Sequence, residues 1–303
     1  MPEPEKSEDR PPSRHELPAA ADPIGGTAAA GRPTAVASMR RRPGRRRPGR
    51  EGEILRGLVG RSPAFSRMLE LVVRASRRSA PVLLLGESGT GKASVARAIH
   101  RLAHRVDRPF VAVHCAGLTH GLFERELFGR SRTAAGAAAG DGKIASARGG
   151  TLFLEDVGAL GPAEQGELLR VVENARWGQG EPLAASFRWI CAASPELRWR
   201  VAEGTFSADL YYRLSVFPIA LPPLRQRLDD LPLLAECLLE RLAGGRRIEI
   251  DPRTFVAFGR YRFPGNIREL RSILEYACLQ ADGGRVLPRH LPRRCREPAA
   301  DCR

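Results

Sequence analysis

Gly86, Gly89 and Gly91 punctuate the run Gly86-Glu87-Ser88-Gly89-Thr90-Gly91-Lys92, and these residue types at this spacing can hold a chain of phosphates. Glycine admits backbone dihedrals that a side chain forbids, so successive N–H groups can turn inward on phosphate oxygens. Lys92 adds a point charge for the outer phosphates. An apolar run over 82–85 precedes the loop, and Val95, Ala98, Ile99 and Leu102 fall on one face of a helix predicted over 93–103. A helix amino end favours anions, so strand, loop and helix together predict a nucleotide site. One position departs from the usual loop: Ala93 follows Lys92 and has no hydroxyl to offer Mg²⁺.

The elements that must position this loop are legible as a pattern. Short apolar segments at 82–85, 110–113, 151–154, 188–192 and 216–220 read as strands, with helical periodicity between several of them. That alternation predicts a parallel sheet covered by helices on both faces. Upstream, Phe65, Met68, Leu69, Val72 and Val73 recur at helical spacing until Pro81 ends the helix. Beyond Pro222 and Pro223 the pattern is helical alone, through Leu231, Leu234, Leu238 and Leu242, then Leu270, Ile273, Leu274, Ala277 and Cys278. The expected organisation is an α/β nucleotide-binding subdomain over 53–224, a small all-helical lid over 225–296, and tails at 1–52 and 297–303.

Composition bounds the rest. The chain has 303 residues, 43% of them hydrophobic, enough for a sizeable core. Its net charge is +15, but 46 of the 49 basic residues are arginine, a bias that a GC-rich genome produces by itself. Residues 1–52 are rich in Pro, Gly, Ala and Arg without periodicity, which predicts disorder. Within them Arg40-Arg41-Arg42-Pro43-Gly44 is followed by Arg45-Arg46-Arg47-Pro48-Gly49-Arg50, with no aromatic residue to stack on bases. A solvated tail is the simpler reading, and a non-specific DNA or RNA contact the other. Met39 offers an alternative start. The six cysteines show no zinc-ligand spacing, and no segment has the apolar length of a signal core or membrane helix. A cytoplasmic protein without a membrane partner is expected.

Several separated blocks make the chain resemble the central AAA+ domain of sigma-54-dependent transcriptional activators, the bacterial enhancer-binding proteins, over about residues 58–291. They are Gly60-Arg-Ser-Pro-Ala, the loop at 86–92, Glu126-Leu-Phe-Gly, Gly149-Gly-Thr-Leu-Phe-Leu, Asp209-Leu-Tyr-Tyr-Arg-Leu-Ser-Val-Phe-Pro-Ile, Leu221-Pro-Pro-Leu-Arg and Phe263-Pro-Gly-Asn-Ile-Arg-Glu-Leu-Arg. The resemblance implies a P-loop AAA+ fold that binds ATP or ADP, assembles as a homo-oligomeric ring and uses hydrolysis to remodel RNA polymerase holding sigma-54. It implies an ATP site formed by Gly86, Glu87, Ser88, Gly89, Thr90, Gly91, Lys92 and Ala93, with Arg268 as the lid arginine that senses phosphate.

The catalytic positions implied by the resemblance diverge from the family pattern. Glu155 and Asp156 stand where the family reads Asp then Glu, the pair that holds Mg²⁺ and polarises the attacking water. Exchanging them moves each charge by about 1 Å, a displacement that can cost roughly 10²-fold in rate. Paired acids after a strand can also serve as a helix cap. Ser194 replaces the Asn that senses the γ-phosphate, and His114 replaces an Asn that restrains the catalytic Glu. Ser207 replaces the first of two arginines reaching the neighbouring subunit's site, whereas Arg213 matches the second. Thr133, Ala134, Ala135, Gly136, Ala137 and Ala138 replace the Gly-Ala-Phe-Thr-Gly-Ala loop that contacts sigma-54, and they lack its aromatic anchor.

The expected function is therefore an ATP-binding regulator of transcription with impaired hydrolysis and impaired sigma-54 contact, acting on the polymerase or through another activator. The alternatives are a working ATPase that remodels sigma-54 polymerase, and a non-catalytic nucleic-acid-binding or scaffold protein that uses its basic tail.

Overall fold

The computed structural model describes Leu55 and residues 57–103, 105–118, 120–129, 142–177, 187–242, 248–281 and 284–296. The predicted tails at 1–52 and 297–303 and the loop at 133–138 lie outside the described residues.

In chain order the helices are α1 (Pro63–Ser76), α2 (Lys92–Leu102), α3 (His120–Phe128), α4 (Lys143–Ser146), α5 (Pro162–Trp177), α6 (Leu197–Ala202), α7 (Ala208–Leu214), α8 (Leu231–Leu242), α9 (Pro252–Gly259), α10 (Asn266–Gln280) and α11 (Arg293–Arg296). The strands are β1 (Val82–Leu85), β2 (Phe110–His114), β3 (Thr151–Glu155), β4 (Arg188–Ala193), β5 (Phe217–Ala220), β6 (Glu249–Ile250) and β7 (Arg285–Val286). β1 to β5 form one parallel sheet in the order β2-β3-β4-β1-β5.

The strand sequences explain the layering. Leu83 and Leu85 of β1, Leu152 and Leu154 of β3, and Trp189, Cys191 and Ala193 of β4 join the core on one face. Val82 and Leu84, Phe153, and Ile190 and Ala192 enter the core on the other, packed with Phe65, Met68 and Val72 of α1 and Val95 and Ile99 of α2. Successive strand residues point to opposite faces, so a strand buried on both sides must be apolar at every position. The order of strand and helix along the chain thus delivers a three-layer sandwich with the sheet in the middle.

The carboxyl part packs its own core, including Leu234, Leu239, Phe258, Phe263, Leu270, Ile273 and Leu274. It is predominantly helical as expected, with one addition. β6 and β7 pair in parallel through Glu249 with Arg285 and Ile250 with Val286. Two residues per strand are too few to leave a periodic signal.

A single buried carboxylate fastens the start of α1 to the segment that leads into the lid. Asp230, fully buried, accepts from Arg61 N at 2.6 Å and Ser62 N at 2.8 Å through Oδ1, and from Ser62 Oγ at 2.8 Å through Oδ2. Ser62 also caps α1, accepting from Phe65 N at 3.3 Å, with Pro63 next.

Candidate functional site

The phosphate loop leaves β1 at its carboxyl end, where Gly86 N donates to Ala193 O at 3.1 Å and pins the first turn to the neighbouring strand. Gly89 and Gly91 have φ of +77° and +100°, conformations that L side chains rarely adopt. At Gly89 space is also denied: a Cβ would stand 2.2 Å from Gly265 O in the lid. The loop delivers Lys92 at the start of α2, where its Nζ donates to Gly86 O at 2.7 Å and Glu87 O at 3.2 Å. Burial pulls the Lys92 ammonium below its usual pKa, and the Asp156 and Glu155 carboxylates oppose that pull.

A cleft of about 880 Å³ opens over this loop between sheet and lid. Ser88, Gly89, Thr90, Gly91, Lys92 and Ala93 line it from the loop side. Glu155, Asp156, Ser194 and His114 line it from the ends of β2, β3 and β4, and Arg268 from α10. The parallel sheet explains this convergence, because all its strands finish on one edge. His114 Nδ1 stands 3.9 Å from Glu155 Oε2 and 3.9 Å from Asp156 Oδ2, so the three side chains form one polar corner. Asp156 adopts the left-handed region at φ 56°, and its side chain makes no capping bond to the short 3₁₀ turn that follows. The acids are thus not spent on a cap.

The remaining predicted residues sit elsewhere. Glu87 turns its carboxylate away from the cleft onto Arg225, at 2.5 and 2.8 Å, and receives Asn266 Nδ2 at 3.1 Å. These bonds, the Arg225 contact first, hold the Glu87 carboxyl below its usual pKa. Arg213 is outside the cleft on α7, paired with Glu173 Oε1 of α5 at 3.0 Å. Ser207 begins α7, its Oγ accepting from Leu210 N at 3.3 Å and its N–H donating to Gln165 Oε1 at 2.8 Å. Its role in the structure is a helix cap.

The lid supplies what sequence reasoning missed. Asn266, fully buried with φ 52°, accepts from Leu224 N at 2.7 Å and donates to Ser88 O at 3.0 Å as well as to Glu87. Ile267 N donates to Gly89 O at 3.0 Å, and Arg268 donates to Ser88 Oγ at 2.6 Å. Buried Arg227 lies over the Phe65 ring and donates to Thr90 O at 3.4 Å. A Gly-Asn pair opening an apolar helix was the available sign, since Asn tolerates the left-handed region. Leu58, Val59, Leu234, Cys237 and Leu238 give the far end of the cleft apolar walls suited to a flat base.

Among the described residues no three His, Cys, Asp or Glu side chains form a metal-holding group. Mg²⁺ in nucleotide sites needs less, because one or two carboxylates and the phosphates suffice. Glu155 and Asp156, with side chains 31% and 40% exposed in the cleft, fit that requirement, and Ala93 adds no donor.

The chain is similar to known proteins. Residues 58–220 match the sigma-54 interaction domain and 225–302 the AAA+ ATPase lid domain. The chain is 41% identical over 253 residues to a Nif-specific regulatory protein of Sinorhizobium fredii, covering 81% of this chain and 42% of that protein. It is 40% identical over 252 residues to one of Rhizobium leguminosarum bv. trifolii, covering 81% and 70%. Similarity to the transcriptional regulatory protein ZraR of Salmonella typhimurium is 39% over 247 residues, covering 78% and 55%. NtrX from Brucella abortus, in complex with ADP, superposes with a TM-score of 0.70 at 31% identity over 82% of this chain and 60% of that one. Its ATP complex gives 0.70 over 81% and 60%. The chain spans only about two fifths of the Sinorhizobium regulator.

Proposed function

The chain belongs to the sigma-54 interaction domain family of AAA+ proteins, and on that premise we propose that it binds ATP in the cleft over Lys92 and serves transcription regulation with weakened hydrolysis. The observation that carries ATP binding is the convergence of Lys92, the left-handed glycines and Arg268 on one cleft with an apolar far end. The loop N–H groups and Lys92 would take the phosphates, and Arg268 would leave Ser88 Oγ for the outermost one. Mg²⁺, held by Glu155 and Asp156, would neutralise charge developing on the transferred phosphoryl group.

Weakened hydrolysis rests on two placements. The order Glu155 then Asp156 sets a longer side chain at the strand end and a shorter one at the next position. Ser207 caps α7 and brings no cation to a neighbour, leaving Arg213 as the arginine of that segment available in a ring. Loss of one such arginine costs on the order of 10³ to 10⁵ in rate.

Ring assembly, contact with sigma-54 polymerase or another activator, a cytoplasmic location, and the division into 53–224 and 225–296 belong to the same proposal. Support for them comes from family membership and from the two matched segments. No described helix is long and apolar enough to cross a membrane. A working ATPase is the second reading, favoured by the retention of both acids and His114 in the cleft. One preparation assayed for ATP affinity and for turnover beside Lys92→Ala decides between them. Binding with turnover at the level of that variant supports the proposal, clear turnover the second reading, and absence of binding defeats both.

A further inference from the structure

The sheet edge opposite the nucleotide cleft carries a concentration of arginine with no ion-pair partner among the described residues. All five strands of the main sheet are parallel, so their amino ends share that edge. The ends of α1 and α2 arrive there too. Buried Arg188, first in β4, donates to Ala75 O at 2.6 Å and Ser76 O at 3.3 Å, which seats the last turn of α1 at the edge. Exposed Arg74, Arg77 and Arg78 emerge from that turn. On α2, Arg97 lies over the ring of Phe110, the first residue of β2, at 4.7 Å, and Arg101 emerges from the last turn. Arg105 donates to Gly150 O, and exposed Arg108 and Arg148 flank the starts of β2 and β3.

None of these exposed arginines is ion-paired with a described carboxylate, whereas Arg213, Arg225, Arg285 and Arg294 elsewhere all are. The positive field reaches inward: burial first, then Arg105, Arg101 and Arg188, hold the His100 imidazole below its usual pKa. Four adjacent strands, β2-β3-β4-β1, span about 14 Å at the ordinary strand spacing. Duplex DNA presents about eight phosphate charges over that length.

We propose that this arginine-rich edge docks the phosphate backbone of duplex DNA. Arginine forks bind phosphate bidentately, and the edge is rich in free forks. Phe110 lies beneath Arg97, and no exposed aromatic side chain accompanies the described arginines, so the surface has no platform for stacking single-stranded bases. Its large exposed apolar side chains among the described residues, Val106 and Val216, are too few to enter a lipid layer. The site lies at the far end of the sheet from the cleft and does not depend on nucleotide binding.

The test is fluorescence anisotropy of the full chain on a random-sequence duplex of about 25 base pairs, across a salt series. Arg77→Glu/Arg78→Glu/Arg101→Glu is compared with Arg253→Glu/Arg260→Glu/Arg262→Glu, an equal charge change on exposed lid positions. Arg77→Gln/Arg78→Gln/Arg101→Gln guards against misfolding, and all variants are checked by thermal unfolding. The edge variants should lose about tenfold or more in affinity, and the slope of log K against log salt should flatten by about 2 to 3. The lid variant should retain most affinity and slope. Equal loss in both sets, unchanged binding in the edge variants, absence of duplex binding, preference for single strands, or tighter retention on phosphatidylserine vesicles would each overturn the proposal.

Discussion

Arg225 grips Glu87 with both arms of its guanidinium, at 2.5 and 2.8 Å, and so ties the phosphate loop to the segment that leads into the lid. Asn266 reaches the same carboxylate from α10, which makes Glu87 a junction between three parts of the chain. The Glu87 carboxylate is therefore engaged by the lid side rather than turned into the cleft.

Breaking this junction should loosen lid and loop together. Exposed ion pairs are worth about 0.5 to 1 kcal/mol at best, so Arg225→Ala should weaken ATP binding by about two- to fivefold. Exchanging the charges, Glu87→Arg with Arg225→Glu, should recover part of that loss. Additive effects of the two single changes would show that the pair carries no coupling.

Lys92→Ala should lower ATP affinity by about tenfold or more, a loss of about 1.4 kcal/mol or above. It also leaves Gly86 O and Glu87 O without the donor they now have. Titration with a fluorescent ATP analogue measures this, and an unchanged affinity would remove Lys92 from the phosphate site.

Ser207→Arg combined with Glu155→Asp and Asp156→Glu should raise ATP turnover by at least about tenfold, given the rate that one arginine supplies. The same change removes the cap that Ser207 gives α7. Losing it costs about 1 kcal/mol, or about 2–4 °C in Tm for a domain of this size. Faster turnover in a less stable protein is the expected pair of readings; a variant without gain would count against weakened hydrolysis as the native state.

Thiol labelling should distinguish the cysteines by position. Burial pushes Cys115 up to about 12 and Cys295 up to about 11, so both remain protonated thiols at pH 8 and should label slowly. Cys237 is partly exposed and lines the cleft. Its labelling rate, followed by mass spectrometry, should fall on adding ATP, while that of Cys278 stays constant. Equal rates with and without ATP would place the base away from α8.

The sheet was legible because its strands are built on short apolar runs: Val82, Leu83, Leu84 and Leu85 admit few other readings between a proline and a glycine loop. The cleft residues were legible because they end strands or begin a helix at fixed places in recognisable blocks. The lid contacts were not. Asn266, Arg225 and Arg227 lie more than 130 residues from the loop atoms they touch, and nothing in local spacing announces a partner at that distance. The arginine edge was hidden differently. Its members are scattered from Arg74 to Arg148 and become neighbours only because parallel strands start together.

Asp230 makes the lid and the start of α1 share one fastening. Its two oxygens hold Arg61 and Ser62 through three hydrogen bonds inside the protein. A lid that swings about the segment at 224–230 must carry that strap along or tear it. Tension applied to the chain just ahead of residue 61 is thus delivered to the lid's pivot without crossing the sheet.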